Sequence, residues 1–322
     1  MDTQKETIPL FFSVDDGYVP FLAVALKSII DNASKDYNYE GIVLHEGISK
    51  QNQAEIAAIT ADNFSVKFVS MKGKLNEQMK GEQAKLRGDY FTFTIFFRLF
   101  IADMFPEYDK AIYLDADIIV PGDVSELYNI ELGSNVVGAI SDLFISKNSE
   151  TIEYSESAMG VPITDYVNSG VLLMNLAQLR KTSLSQVFLR LYNKYHFETI
   201  APDQDYLNVI GHDKIKHLGF EWNTQTAALV HENEVATPKI IHYNLFRKPW
   251  YYKHVIFEDY FWKYAKSLGY ESEFVEMQNN YSQEQAVADQ DNLTGLLSMA
   301  AKIDDGDITF KKIQERGEQI TI

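Results

Sequence analysis

Apolar and polar positions along this chain fall into blocks that switch between a two-residue and a roughly 3.6-residue period. Ile8-Pro-Leu-Phe-Phe-Ser-Val14 predicts a buried strand, closed by the turn Asp15-Asp16-Gly17-Tyr18. Phe21, Val24, Ala25, Ser28 and Ile29 then recur at helical spacing, with Pro20 in the first turn, where its missing N–H costs nothing. Gly41–His45 predicts a strand, Lys50–Thr60 a helix and Phe64–Val69 a strand. Tyr90–Phe105 is an aromatic, helix-like stretch that runs to Met104 and stops at Pro106. Further on, Val136–Ile140 and Asn168–Asn175 predict strands, Ser183–Phe197 and the segment opening at Ala201 predict helices, and Lys239–Tyr243 predicts a short strand. Alternation of this kind predicts an α/β fold with a Rossmann-like, mainly parallel sheet and helices on both faces. Ligands of such sheets gather at the carboxyl ends of the strands.

Ala111-Ile-Tyr-Leu-Asp-Ala-Asp-Ile-Ile-Val120 breaks the pattern, because two carboxylates interrupt an apolar run. Alternate side chains of an extended segment share a face, so Asp115 and Asp117 leave the strand in the same direction and can reach one cation. Unpaired charges at a buried strand end are costly, and a divalent ion is the natural partner. Asp-x-Asp recurs at Asp203/Asp205, Asp289/Asp291 and Asp305/Asp307, but only the first pair follows a strand-like run. Three other residues each carry two readings. Arg98 is either a surface residue whose stem covers apolar neighbours or a buried pairing partner. Asp203 is either a helix cap or a ligand group. His242 is either a hydrogen-bonded core residue or part of a cationic cluster with Arg247 and Lys248, which a phosphate would require.

Composition narrows the chemistry. With no cysteine, disulfides, thiolate catalysis and cysteine-based metal sites are excluded, so a metal must use oxygen and imidazole ligands. A net charge of −17 argues against a nucleic-acid backbone or an anionic membrane as partner. No run approaches a membrane span and no signal-peptide pattern precedes Ile8, which predicts a cytoplasmic address without a strong membrane anchor. Residues 271–322 carry eleven acidic and four basic side chains, and Leu293, Leu296, Leu297 and Ile303 predict one amphipathic helix there.

Five ordered motifs together resemble glycosyltransferase family eight, the retaining group of glycogenin and the bacterial lipopolysaccharide galactosyltransferases. They are Ser13-Val-Asp-Asp-Gly-Tyr18; Phe97-Arg-Leu99 with Leu114-Asp-Ala-Asp117; Asp142; Asn168-Ser-Gly-Val-Leu-Leu-Met-Asn-Leu176 with Asp203-Gln-Asp205; and His242-Tyr243 with Lys248-Pro-Trp250. The resemblance covers roughly residues 8–265 and implies a single-nucleotide-binding-domain glycosyltransferase fold. It places a UDP-sugar-binding catalytic domain at 1–270 and an acidic helical extension at 271–322.

The resemblance also implies roles. Asp115, Asp117 and His242 hold Mn²⁺, which suits a mixed carboxylate and imidazole set better than Mg²⁺ does. Ser13, Val14, Asp15 and Tyr18 hold the uridine, and Asp115, Ala116, Leu245 and Lys248 complete the nucleotide contacts. Arg98, Asp142, Asn168, Asp203 and Gln204 grip the sugar, which is glucose or galactose carried on UDP. Gln204, Asp205 and Lys248 are the candidate catalytic groups. Double displacement would need a nucleophile, for which Gln204 is poor and Asp205 untried; a front-face path, in which the leaving phosphate helps deprotonate the acceptor, needs neither and is favoured. The acceptor is a hydroxyl on a glycan, a lipid-linked glycan or a glycoprotein, and a homo-oligomer is compatible with all of this. Two positions depart from the family pattern: Gly17, often Asn, and Leu245, usually Gly. They motivate a rival expectation, a nucleotide-sugar-binding or scaffolding subunit with weak turnover.

Overall fold

A computed structural model describes residues 5–74 and 93–322, so the aromatic stretch predicted from Tyr90 is described from Phe93 onward. Among the described residues ten strands follow one another: β1 (Thr7–Ser13), β2 (Asn38–His45), β3 (Phe64–Ser70), β4 (Lys110–Leu114), β5 (Ile118–Ile119), β6 (Val137–Ser141), β7 (Val167–Asn175), β8 (Ile215–His217), β9 (Thr224–Gln225) and β10 (Ile241–His242). The chain forms two compact units, one of residues 1–70, 111–131 and 219–289, the other of residues 71–110, 132–218 and 290–322.

In the first unit the strands lie in the order β3-β2-β1-β4, every pair parallel, as the βαβ alternation predicts. Ile8, Leu10, Phe11 and Phe12 of β1 are fully buried, consistent with a strand covered on both faces. The helix Val19–Asn32 opens with Pro20 in its first turn and buries Phe21, Val24, Ala25, Ser28 and Ile29, the residues picked out by spacing. Its polar residues pin the chain just beyond the Asp-x-Asp pair: Val120 N donates to Ser28 Oγ at 2.9 Å, and Asn32 Nδ2 donates to Val120 O at 2.9 Å. A smaller sheet runs β5-β10-β9. β10 pairs parallel with β9 and antiparallel with β5, and the antiparallel register sets His242 opposite Ile118, next to Asp117. Below it, Trp250 stacks on Phe21 at 4.1 Å and Phe21 on Phe274 at 5.5 Å, so the helix Glu271–Asn280 is part of this unit's core.

The second unit contains β7-β6-β8, with β6 antiparallel to β7 and parallel to β8. The expected helix up to Met104 is instead a 3₁₀ turn over Phe93–Phe100 followed by a short α-helix, Ile101–Met104. Its β-branched and aromatic side chains lose rotamer freedom in an α-helix, which lowers the preference of the stretch for one. The helix Pro202–Ile210 is buried along nearly its whole length. Phe310, from the acidic tail, packs on Phe197 at 4.0 Å and on Tyr206 at 5.1 Å, and so supports that helix from beneath. The predicted amphipathic helix spans Gln283–Asp304 and buries Leu296, Ala300 and Ile303. Among the described residues no helix is long and apolar enough to cross a membrane.

Candidate functional site

The first unit gathers one group of predicted residues at the carboxyl ends of β1 and β4. Phe11 pairs with Tyr113 across these strands, so Ser13 and Asp115 follow at matching levels. Val14 is buried, and its N–H donates to Leu44 O at 3.2 Å. Asp15 is exposed, and its Oδ1 caps the turn by accepting from Tyr18 N at 3.0 Å. Tyr18 is half-buried, edge-on to Phe21 at 5.3 Å. Ala116 is buried between the two carboxylates.

Asp115, Asp117 and His242 converge with one ligand atom each, all within 4.8 Å of one another. His242 Nε2 lies 3.3 Å from Asp117 Oδ1 and 3.9 Å from Asp115 Oδ2. Three atoms each bonded at about 2.1 Å to one ion lie at most about 4.2 Å apart, so a contraction of roughly half an ångström would close this set on a divalent cation. The residues fit such an ion. His242 Nδ1 lies 2.9 Å from Asn223 Oδ1, a contact that holds the ring with Nε2 toward the carboxylates. Asn223 is fully buried, and sequence reasoning did not find it.

Lys248 is buried, and its Nζ donates to Asp117 Oδ2 and to Tyr243 O. Burial pushes the Asp117 carboxyl up, but the charges of Lys248 and His242 outweigh that and hold it well below the usual carboxylate range. The loop carrying Lys248 passes through Leu245 at φ +60°, the left-handed conformation that glycine adopts freely and leucine only with strain. A leucine here therefore keeps a glycine-like backbone course.

The second unit gathers the other group. Arg98 is buried, not a surface residue: Nε lies 3.0 Å from Asp203 Oδ2, and Nη1 donates to Ser169 O at 2.7 Å and to Ser169 Oγ at 3.0 Å. Asp203 is not the helix cap, a place taken by Ala201; it pairs with Arg98 and accepts from Ser169 Oγ at 3.0 Å. Asn168 Nδ2 and Gln204 Nε2 both donate to Asp142 Oδ2, at 3.0 and 3.1 Å. Asp205 is fully buried and accepts four hydrogen bonds, from Tyr166 and Tyr154 hydroxyls at 2.6 and 2.8 Å and from Ile200 N and Ala201 N at 3.0 and 2.9 Å. Burial pushes its carboxyl up to about 6 even though the four donors pull it down. Ser169, Tyr166 and Tyr154 were not singled out from sequence, although Ser169 lies inside the Asn168-Ser-Gly motif.

The other Asp-x-Asp pairs do different work. Asp289 accepts from the Tyr252 and Tyr281 hydroxyls, at 2.6 Å each, and Asp305 and Asp307 are exposed.

Comparison with known proteins places these features in a family. The model of glycosyl transferase family 8 matches residues 9–254. Glycosyltransferase GlyB of Streptococcus pneumoniae is 32% identical over 219 residues, 67% of this chain and 48% of GlyB. Lipopolysaccharide glucosyltransferase WaaO of Escherichia coli is 31% identical over 188 residues, 56% of this chain and 53% of WaaO. The chain spans about half the length of these curated relatives. The crystal structure of galactosyltransferase LgtC in complex with donor and acceptor sugar analogs superposes with a TM-score of 0.66 at 27% identity, covering 81% of this chain and 96% of that one.

Proposed function

Because the chain belongs to glycosyl transferase family 8, we propose that it is a retaining hexosyltransferase that moves glucose or galactose from UDP to an acceptor hydroxyl on a glycan, a lipid-linked glycan or a glycoprotein. The observation that carries the reading is the convergence of Asp115, Asp117 and His242 at a strand end with Lys248 beside them. Mn²⁺ held by those three ligands would supply Lewis-acid neutralisation of the diphosphate charge as UDP leaves. Tyr18 stacks on the base, Asp15 accepts from a base N–H, and Ser13, Val14, Ala116 and Leu245 complete the nucleotide contacts. Lys248 brings a buried cation to the diphosphate, where charge grows as the sugar–phosphate bond breaks.

Arg98, Asp142, Asn168, Asp203 and Gln204 grip the hexose hydroxyls. A buried polar set of this kind discriminates sharply, because a misplaced hydroxyl leaves a donor or acceptor unpaired. The saturation of Asp205 by four donors supports a front-face path over attack by that carboxylate. The rival reading, a binding subunit with weak turnover, rests on Gly17 and Leu245. The left-handed backbone at Leu245 weakens it, since the course of the loop is kept.

A panel of UDP-sugars incubated with and without Mn²⁺, scored by UDP release, tests the reading. UDP release from UDP-glucose or UDP-galactose only when Mn²⁺ is present is the expected result. Tight donor binding without release from any sugar would favour the binding subunit.

A further inference from the structure

Gln204 is held at both ends of its amide. Nε2 donates to Asp142 Oδ2 and to the Tyr166 hydroxyl oxygen, each at 3.1 Å, and Oε1 accepts from Ser169 N at 2.9 Å. Both amide protons are thus committed, and one Oε1 lone pair remains. Tyr166 differs from the other two partners, because its own direction is set by another side chain. Its single proton goes to Asp205 Oδ1 at 2.6 Å, so its oxygen can offer Gln204 nothing but lone pairs. A flipped amide would set Oε1 against that oxygen and against the Asp142 carboxylate, and would turn the NH₂ toward the Ser169 N–H. All three contacts would be lost together. Burial, and after it the Asp205 and Asp142 charges, push the Tyr166 phenol well above its ordinary value, so it stays a donor toward Asp205.

We propose that Tyr166, with its proton committed to Asp205, is a positioning residue that joins the Asp142 carboxylate and the Ser169 N–H in holding the amide of Gln204 in the one orientation that presents Oε1 to the donor hexose. Asp205 acts through Tyr166 and does not meet the sugar. The proposal rests on the reading of Gln204 as a sugar-gripping group. A buried tyrosine whose hydroxyl only fills space would predict no effect on Gln204 at all.

The structure contains its own control. Tyr154 is as buried as Tyr166 and donates to the other oxygen of the same carboxylate at 2.8 Å, and among the described residues no hydrogen bond joins it to Gln204. Tyr166→Phe and Tyr154→Phe therefore remove the same atom, at the same burial, from the same acceptor. The expected result for Tyr166→Phe is a kcat lower by about 10²-fold with little change in donor KM, as a misplaced reacting group produces. Tyr154→Phe, which leaves the Tyr166–Asp205 and Tyr166–Gln204 contacts in place, lowers kcat far less. A second readout stands even if the wild-type chain turns over no UDP-sugar: the Gln204 side-chain amide protons, followed by NMR, should be protected from exchange in the wild type and in Tyr154→Phe, and the proton that meets Tyr166 should lose that protection in Tyr166→Phe. Equal behaviour of the two variants, in kinetics or in exchange, would overturn the proposal.

Discussion

Asp117 and Asp205 are both aspartates withdrawn from water, and their surroundings treat them in opposite ways. Asp117 sits between a lysine and a histidine, and those charges hold its carboxyl well below the usual range. Among the described residues no cation is bonded to Asp205, only two phenols and two backbone amides, and burial pushes it up to about 6. Four neutral hydrogen bonds do not match what two charges do, since each charge acts over distance while each neutral donor acts only in contact. The difference separates two jobs. A carboxylate kept ionised beside cationic side chains can be shared with an incoming metal ion. A carboxylate locked by four fixed donors is an anchor that sets the direction of its partners.

The contrast can be broken from its charged side with the larger effect. Lys248→Met keeps most of the stem beside Trp250 and removes the charge. We expect kcat to fall by about 10²–10³-fold, with donor KM little changed, because the cation matters most as charge develops on the leaving phosphate. Steady-state kinetics at saturating Mn²⁺ reads this directly; an unchanged kcat removes Lys248 from the site, and a pure KM effect reduces it to uniform donor binding.

The neutral side is tested by pH. A carboxyl raised from 3.8 to about 6 in the folded state adds stability below pH 3.8 that is lost as the pH climbs through about 6. Denaturant unfolding of the wild type against Asp205→Asn should therefore show the wild-type advantage shrinking between pH 4 and 6. The loss should reach roughly 3 kcal/mol, since each tenfold change in proton affinity is worth about 1.4 kcal/mol. Asp117 predicts the opposite sign, with a contribution present above pH 3.8 and lost as the pH falls. A difference between wild type and Asp205→Asn that is flat across this window would contradict the contrast. The smallest effect is expected at Leu245. Glycine there relieves about 1 kcal/mol of left-handed strain but adds a similar entropy to the unfolded chain, so Leu245→Gly should stay within about 0.5 kcal/mol of the wild type. A much larger loss would mean that the leucine side chain itself holds the loop.

Much of the first cluster could be read from the chain, because its signals are local. An apolar run ending in Asp-Ala-Asp needs a partner for its charges, and His242 and Lys248 come from one short segment after a strand. What ties them together is not local. The pairing of β5 with β10 and the contact of Asn223 with His242 depend on how segments more than a hundred residues apart, or nineteen for the histidine, come to lie side by side. The second network was harder still. Arg98 lies in an aromatic, helix-like stretch that suits a surface residue and a buried one alike, and only the fold reveals Asp203 and Ser169 as its partners. Tyr154 and Tyr166 look like ordinary core aromatics, since a phenol that orients a carboxylate has the same spacing as one that merely fills space. The limits of the helix Leu184–Tyr195 fell inside the expected Ser183–Phe197, because both flanking residues, Ser183 and His196, adopt left-handed backbone that no periodicity records.

The most direct measurement is UDP release by Asp117→Asn, from whichever UDP-sugar the wild type accepts, at matched Mn²⁺ and with cooperative unfolding checked in parallel. The substitution keeps the shape of the side chain and removes a carboxylate that touches both His242 and Lys248. Release falling to the metal-free level in a folded protein is the predicted result. Near wild-type, Mn²⁺-dependent release from the folded variant would contradict the assignment of Asp115, Asp117 and His242 as the metal site.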